Sequence, residues 1–350
     1  MKKKAWIIVS NRWNSAVTEY SLALAESLKL VGWEILFSSL KGKPADKRSQ
    51  AIEGVKCLPF ESFSLWQLRA FLSIYRSHKP TVVFVFGGPE TSLAMFLPRC
   101  KIIRFRGEQR DYVADKSLNS PFHWHVDSYL LPTIRPVVCT KPLIRVFLGR
   151  KAEKYRAITS SISKKRPWIT ILGRLDPIKG HRDFFEIFAK LLQIWPTNYP
   201  RPLLKVIGEP ANLGPDDIMS SADDFTLVKG QDWELITKRI DNIEGLLSQS
   251  DVGVISSLGS EVICRVAEEF LLCGCPIFVS GVGSLEDCLL FQGAGGTYAE
   301  LTKDSAAQRL CDLLLESMSE TPEDRQRRSL TARQYFSLEA MAESMTDQID

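Results

Sequence analysis

Residues Ser256–Leu271 read SSLGSEVICRVAEEFL. They follow a short apolar run, Val252–Ile255, and precede Cys273–Gly274–Cys275–Pro276. An apolar run, a small-residue loop and then apolar positions at helical spacing spell a buried strand, a turn and a helix over Val262–Cys273. Glu261 opens the loop and Glu269 lies in the helix, eight residues on. Eight helical residues advance about 12 Å and turn roughly 80° beyond two whole turns. Both carboxylates are therefore expected to face one cleft, one near its mouth and one deeper. That separation suits the two ends of a sugar nucleotide and is too long for two acids sharing a proton. Glu268 is expected at solvent.

A second anchor lies upstream, Gly173–Gly180, GRLDPIKG. Trp168–Leu172 reads as a buried strand, and Gly173 lets the chain turn tightly after it. Asp176 suits an N-cap and Pro177 the first helical position. The helix Asp183–Leu192 then presents Phe184, Phe185, Ile187, Phe188, Leu191 and Leu192 toward a sheet. This places Arg174 in the strand-to-helix loop and Lys179 in the first turn. Free N–H groups at a helix start attract anions, Arg forks onto phosphate oxygens, and Lys adds a point charge. A lysine there opposes the helix dipole by a few tenths of a kcal/mol, a cost that favours a ligand role over simple solvation. Two cations for a diphosphate and two carboxylates for hydroxyls together suggest a site for a sugar nucleotide.

Short apolar runs alternate with helical patterns throughout, the signature of βα units around parallel sheets. The expected strands of the first half are Ala5–Ser10, Trp33–Ser38, Val82–Phe86, Lys101–Phe105 and Val137–Cys139, with helices over Ser15–Leu30 and Leu65–His78. Those of the second half are Trp168–Leu172, Leu203–Ile207, Phe225–Val228, Val252–Ile255 and Pro276–Val279. Further helices are expected over Asn242–Gln249 and Ser305–Ser317. The polar stretch near 150–167 reads as a join. The expected organisation is a first domain over 1–160, a second domain over 161–325 that holds both anchors, and a helical segment over 326–350 that packs back on the first domain. Two Rossmann-like α/β domains facing a cleft would bind ligands at the carboxyl ends of their strands.

At 350 residues, with 45% apolar and 25% charged residues, the chain has an ordinary globular composition with room for two cores. No run of eighteen apolar residues appears, so no membrane span is expected. The opening MKKKAWIIVSNRW is basic, but its apolar stretch is short and reads as a first strand, not a signal peptide. Eight cysteines without a CxxC pair read as reduced thiols in a cytoplasmic protein, with no metal site. Residues 1–160 carry 26 Lys and Arg against 12 Asp and Glu, whereas residues 161–350 carry 19 against 29. A basic first half fits an anionic acceptor or peripheral contact with the inner face of a membrane. It lacks the aromatic-interleaved stripe of a nucleic-acid binder.

The two anchors resemble the motifs of the retaining, GT-B-fold glycosyltransferases of family four. Gly173–Gly180 is similar to that family's G-R-x4-K-G diphosphate motif, and SEVICRVAEE with LLCGCPIFVSGVGSLEDCL to its E-x7-E region. The resemblance is good in the second half and weak in the first. It implies transfer of a sugar from a nucleotide donor to a glycan or lipid-linked saccharide, without cofactor or metal. Arg174 and Lys179 would hold the diphosphate and, with Glu261 at the donor sugar, carry the chemistry. Gly173 and Glu269 would complete the donor site, Glu269 at the ribose. Backbone N–H groups of Val262, Ile263 and Cys264 would cradle the phosphates or the sugar. The base would lie near Val228–Gln231, including Val228 and Gln231 themselves. The family's first-domain glycine loop is replaced by Asn11–Ala16, NRWNSA, and Arg106 stands where many members have a histidine. Asn14, Ser15, Arg106, Glu108 and His123 are the acceptor candidates, with Arg110, Asp111 and His125 beside them. Two other readings remain open: a sugar-nucleotide epimerase of the same fold, and a degenerate relative that binds nucleotide sugars without turnover.

Overall fold

The computed structural model describes residues 2–98, 100–107, 116–157, 166–259 and 261–349. The chain forms two compact units, residues 1–150 with 335–350, and residues 151–334.

In unit 1 the strands are β1 (Lys4–Val9), β2 (Glu34–Ser39), β3 (Lys56–Cys57), β4 (Val82–Val85), β5 (Lys101–Phe105), β6 (Ser128–Leu131) and β7 (Leu143–Arg145). They pair in the order β3-β2-β1-β4-β5-β6-β7, and every pairing is parallel. Ala5 through Val9 are fully buried on both faces, which is what a central strand of a parallel sheet requires. The connecting helices are α1 (Ala16–Leu30), α2 (Pro44–Ser49), α3 (Leu68–His78) and α4 (Gly88–Ala94). Val137–Cys139 is not a strand. The chain there runs unpaired between β6 and β7, and Val138 is exposed. The buried run Ser128–Leu131 takes the place in the sheet instead.

Unit 2 holds β8 (Trp168–Leu172), α5 (His181–Ile194), β9 (Leu203–Ile207), α6 (Pro215–Asp223), β10 (Trp233–Ile236), α7 (Ile243–Gln249), β11 (Val252–Ile255), α8 (Arg265–Leu272), β12 (Ile277–Val279), β13 (Gly295–Thr297) and α9 (Lys303–Met318). Its sheet runs β10-β9-β8-β11-β12-β13, again parallel throughout. Phe184, Phe185, Phe188 and Leu191 of α5 bury their apolar face with Ile169, Ile171, Leu204 and Val254. The ring of Phe185 meets Trp233 edge-on at 5.3 Å. Behind β11, Phe270 of α8 lies so close that a Cβ on Gly253 would come within 2.4 Å of its ring. Helices thus cover both faces. The chain winds from β8 to β10, then returns to β11 beside β8, so β8/β11 is the switch point of unit 2 and β1/β4 that of unit 1.

Phe225–Val228 is not a strand either. It is the turn that ends α6, with Thr226 in the left-handed region at φ 57°, and the strand is Trp233–Ile236. Helix α10 (Pro322–Phe336) leads to α11 (Leu338–Ile349). In unit 1, α11 packs on α1 and β7. There Gln348 Oε1 accepts the Arg145 N–H at 2.9 Å and Lys101 Nζ donates to the Ile349 carbonyl at 2.8 Å. Among the described residues no helix is long and apolar enough to cross a membrane.

Truncating Phe185 to Ala is expected to cost about 3–5 kcal/mol, the range for a buried aromatic. The control Leu30→Ala, at an exposed position, should stay within about 0.5 kcal/mol. Urea titration followed by tryptophan fluorescence checks both, since Trp233 reports on the Phe185 contact.

Candidate functional site

The loop that leaves β8 at its carboxyl end is held by a local cap and by bonds to the loop that follows β9. Leu175 is buried and donates its N–H to the Glu209 carbonyl at 2.9 Å. Asp176 caps the following 3-10 turn, Pro177–Lys179, its Oδ1 accepting the Ile178 N–H at 3.1 Å and its Oδ2 the Asn212 amide at 2.7 Å. The expected capping pair is therefore present, but on a 3-10 turn, and α5 begins only at His181. Lys179 ends that turn instead of opening the α-helix. Between them Gly180 sits at φ 66°, where a Cβ would lie 2.0 Å from the Ser256 carbonyl oxygen. Only glycine fits a left-handed residue at such a close approach.

The expected freedom of Gly173 is not what shapes the turn. A Cβ there would make ordinary contacts with the Lys179 stem. The tight spot is Gly208, after β9, where a Cβ would stand 1.8 Å from the Gly173 carbonyl oxygen. A third contact of this kind is Gly283, at φ 60°, whose Cβ would lie 1.7 Å from the Glu261 carbonyl oxygen. Gly180 and Gly283 thus draw the loops after β8, β11 and β12 together at one edge of the sheet.

Into that edge the fold brings Lys179 and Glu261, 82 residues apart in sequence, as an ion pair between Lys179 Nζ and Glu261 Oε1. The carboxylate is buried and the ammonium partly so. Ser257 Oγ donates to the same Glu261 oxygen at 2.6 Å, and Ser280 Oγ donates to the Ser257 carbonyl at 2.6 Å. Ser284 N–H donates to the Glu261 carbonyl at 2.6 Å. Ser256 Oγ donates to the Lys179 carbonyl at 2.7 Å, and Leu258 N–H to the Ile178 carbonyl at 2.8 Å. A carboxylate with charge-assisted partners on this side is oriented, not floppy. The serines were not singled out from sequence, and of the three glycines Gly180 stood there only as the end of the GRLDPIKG stretch. Their only signal is small residues just past strand ends. Arg174, in the same loop as Lys179, is exposed. Burial pushes the neighbouring His181 imidazole down to about 4, so it adds no charge to the start of α5 at neutral pH.

Other expected donor residues are placed differently. Helix α8 starts at Arg265, so Val262, Ile263 and Cys264 precede it, with their side chains buried. The free first-turn N–H groups belong to Arg265 and its successors. Burial holds the Cys264 thiol well above its usual range, which disfavours the thiolate. Because 261–264 is not helical, the 12 Å helical rise does not separate the two glutamates. Glu269 is half-buried one turn into α8 and accepts the Tyr155 hydroxyl at 3.2 Å. Glu268 is buried rather than at solvent. Val228 and Gln231 lie at the wrong edge. They precede β10, and Arg166, which precedes β8, donates to the Gln231 carbonyl at 2.7 Å. In a parallel sheet both positions belong to the amino edge, away from Lys179 and Glu261. The misplaced strand Phe225–Val228 is the cause.

In unit 1, Asn14 and Ser15 lie in the loop after β1. Asn14 Oδ1 accepts from Arg48 at 2.8 Å, and Ser15 Oγ from the Asn11 amide at 2.6 Å. Asn11 also accepts the Trp13 N–H at 3.0 Å, so its side chain braces a turn that has no glycine. Arg106 is buried at the carboxyl end of β5, its N–H donating to the Leu130 carbonyl at 2.9 Å. His123 lies elsewhere, over the sheet face, 2.9 Å from Arg104 and 3.1 Å from the Tyr129 hydroxyl through Nδ1. His125 turns away to the Thr91 carbonyl at 2.8 Å. Glu108, Arg110 and Asp111 lie outside the described residues.

No protein-family model matches the sequence, and no curated protein matches it. Solved structures do. The chain is similar to a glycosyltransferase from Rickettsia africae ESF-5, at TM-score 0.78 and 14% identity over 99% of this chain and 97% of that one. It is similar to the sucrose-phosphate synthase of Thermosynechococcus elongatus, at TM-score 0.67 and 17% identity over 99% and 98%. It is also similar to HepE of Anabaena, solved in complex with UDP and glucose, at TM-score 0.68 and 12% identity over 99% of each chain. The fold is therefore that of the GT-B glycosyltransferases: two parallel-sheet domains, of seven and six strands, each clad in helices.

Gly283→Ala is expected to cost roughly 1–3 kcal/mol in strain and to displace the Glu261 backbone. A lowered melting temperature and shifted amide resonances around Glu261 check this. His181 has its folded pKa depressed to about 4 from 6.5. Its contribution is thus full above about pH 6.5 and is lost as pH falls toward 4, because the unfolded chain takes up the proton first. Across that window His181→Gln should remove a slope of up to about 1.4 kcal/mol per pH unit, measured by denaturation at stepped pH.

Proposed function

We propose that this chain is a glycosyltransferase that moves a hexose from a nucleotide-sugar donor to a glycan or lipid-linked saccharide, with retention at the anomeric carbon. The observation that carries the reading is the Lys179–Glu261 pair at the β8/β11 switch point of unit 2, with Arg174 exposed in the same loop. Ligands of open parallel sheets bind at the carboxyl ends of the strands beside such a point. HepE, a solved protein similar to this chain, is described in complex with UDP-glucose. A UDP-sugar is accordingly the first donor to test.

In this reading Arg174 forks onto the diphosphate, and Lys179 reaches it with the donors its ammonium does not spend on Glu261. Glu261, already held by Ser257 and Lys179, presents its remaining oxygen to a sugar hydroxyl. Glu269 serves the ribose. The base runs along the loops leaving β9 and β10 at the carboxyl edge, 208–213 and 237–241, in place of Val228–Gln231. The acceptor oxygen bonds the anomeric carbon as the bond to the diphosphate oxygen breaks. The acceptor proton passes to that leaving oxygen on the same face. The growing negative charge on the diphosphate is what Arg174 and Lys179 stabilise, and fixed charges aimed at developing charge are the strongest single aid to such a step. The donor is a substrate, and the reading uses no cofactor or metal. A cytoplasmic role in polysaccharide assembly, with the basic first half resting on an anionic membrane face, fits the charge distribution.

Arg174→Ala should leave the melting temperature unchanged, since Arg174 is exposed, and weaken UDP binding about tenfold or more, the loss of a charge-assisted contact. Lys179→Ala should weaken UDP binding and also lower stability, because it strands the Glu261 carboxylate. In the unaltered chain, UDP at a hundred times its dissociation constant stabilises by about 2.7 kcal/mol. Thermal-shift titration reads all three. Product analysis with UDP-glucose then separates transfer, which frees UDP, from epimerisation, which leaves a UDP-sugar, and from binding without turnover.

A further inference from the structure

The segment that opens unit 2 carries a tyrosine that the donor reading does not use. Tyr155 is buried, 6% exposed, and its hydroxyl donates to Glu269 Oε1 at 3.2 Å, from 114 residues away in sequence. Glu269 is the half-buried carboxylate one turn into α8, just beyond the loop that holds Glu261. A buried tyrosine hydroxyl needs a partner, and a backbone carbonyl would satisfy it. A carboxylate gives a stronger, charge-assisted bond, but the carboxylate loses part of its hydration to make it. That cost is better explained if the carboxylate is being held for a ligand than if the tyrosine only needed an acceptor.

The tyrosine is fixed independently of that bond. Its carbonyl accepts from Arg333 Nη2 of α10 at 2.8 Å. Two residues on, Ala157 packs against Gly274, just past the end of α8. A Cβ on Gly274 would stand 2.8 Å from the Ala157 Cβ and 2.4 Å from the Arg325 carbonyl oxygen of α10. Residues 155–157 are therefore held by α10 and by the end of α8, and the hydroxyl reaches Glu269 from a rigid base. A glutamate side chain is rich in rotamers, and ordering it at the moment of binding costs affinity. A bond from a fixed donor removes that freedom in advance. It uses one of about four acceptor positions on a carboxylate, so it orients the group without displacing the hydroxyls of a ligand.

We propose that Tyr155 is a positioning residue for the donor: its hydroxyl sets the Glu269 carboxylate for the two ribose hydroxyls, and the site thereby prefers a ribonucleotide to one that lacks them. The inference rests on the donor reading for the place of Glu269 at the ribose. A site built to hydrogen-bond a hydroxyl rejects the analogue without it, and how strongly depends on how well the acceptor is held. Tyr155 acts through Glu269 and not through the diphosphate loop of Arg174 and Lys179, so its effect falls on ribose recognition alone.

The test is calorimetry of the full chain with UDP and with dideoxy-UDP, which lacks both ribose hydroxyls, repeated with the ADP and GDP pairs so that the base does not decide the result. The unaltered chain should bind one ribonucleotide about tenfold or more tighter than its dideoxy partner. Tyr155→Phe keeps the buried ring and removes only the hydroxyl. It should cut that preference by about three- to tenfold and leave the affinity for the dideoxy nucleotide unchanged. Glu269→Gln should cut the preference too, since it weakens the acceptor itself. If Tyr155→Phe weakens both nucleotides equally, or leaves the preference intact, the tyrosine is structural only and the proposal is overturned. A preference that rises in Tyr155→Phe shows the hydroxyl competing with the ribose and overturns it as well. Equal binding of every pair by the unaltered chain takes Glu269 away from the ribose, and this inference with it, while the diphosphate site at Arg174 and Lys179 stands. A chain that binds none of these nucleotides removes the donor reading itself.

Discussion

A partly buried ammonium and a buried carboxylate meet at the edge of one parallel sheet, and much of unit 2 is arranged to let them. Lys179 and Glu261 come from loops that leave different strands. Their meeting requires the backbone to pass within van der Waals contact at Gly180 and Gly283, with a third such approach at Gly208 that seats the Arg174 loop. Removing the ammonium would strand a buried carboxylate, which costs more than the pair contributes. The pair is therefore weak evidence for stability and better evidence for a site. Charges are kept at a strand edge, against their desolvation cost, when a ligand uses them.

The same geometry recurs in unit 1 with a different filling. Its switch point also opens at the carboxyl edge, but the loop after β1 has no glycine. It is shaped by the Asn11 side chain and tied down by the buried Glu90. Without glycine the backbone cannot approach a ligand closely there, and side chains take over. Arg12, from that loop, lines a cavity at this edge. One unit thus offers an edge crowded by backbone and one ion pair, the other an edge of long cations around an open cavity. These differences follow from a handful of loop residues, since the two sheets obey the same parallel winding.

The central strands were readable because they are covered on both faces. Ala5–Val9 and Val252–Ile255 are unbroken apolar runs, and the amphipathic stripe of α5 leaves little choice of partner. Edges were harder. Trp233–Ile236 carries Glu234 between apolar neighbours, so Phe225–Val228 looked the better strand by composition. That single misplacement carried Val228 and Gln231 to the opposite edge of the sheet. The short helices α2 (PADKRS), α4 (GPETSLA) and α6 (PDDIMSSAD) and the strand β13 (GGT) hold too few apolar residues for periodicity to be seen. Glu268 was assigned to solvent because alternation along a helix is judged against one buried face, and α8 buries more than one.

Sequence by itself determined that strands and helices alternate, that the sheets are parallel, and that Arg174, Lys179 and Glu261 stand just beyond strand ends. These are local matters: a strand's burial and a loop's start are written in adjacent residues. The tertiary structure alone decided which loops share an edge, that Lys179 faces Glu261, and that Arg12, Lys41 and Lys43 surround one cavity. Strand order sets those neighbours. It depends on how faces far apart in the chain bury each other, and no stretch of neighbouring residues records that.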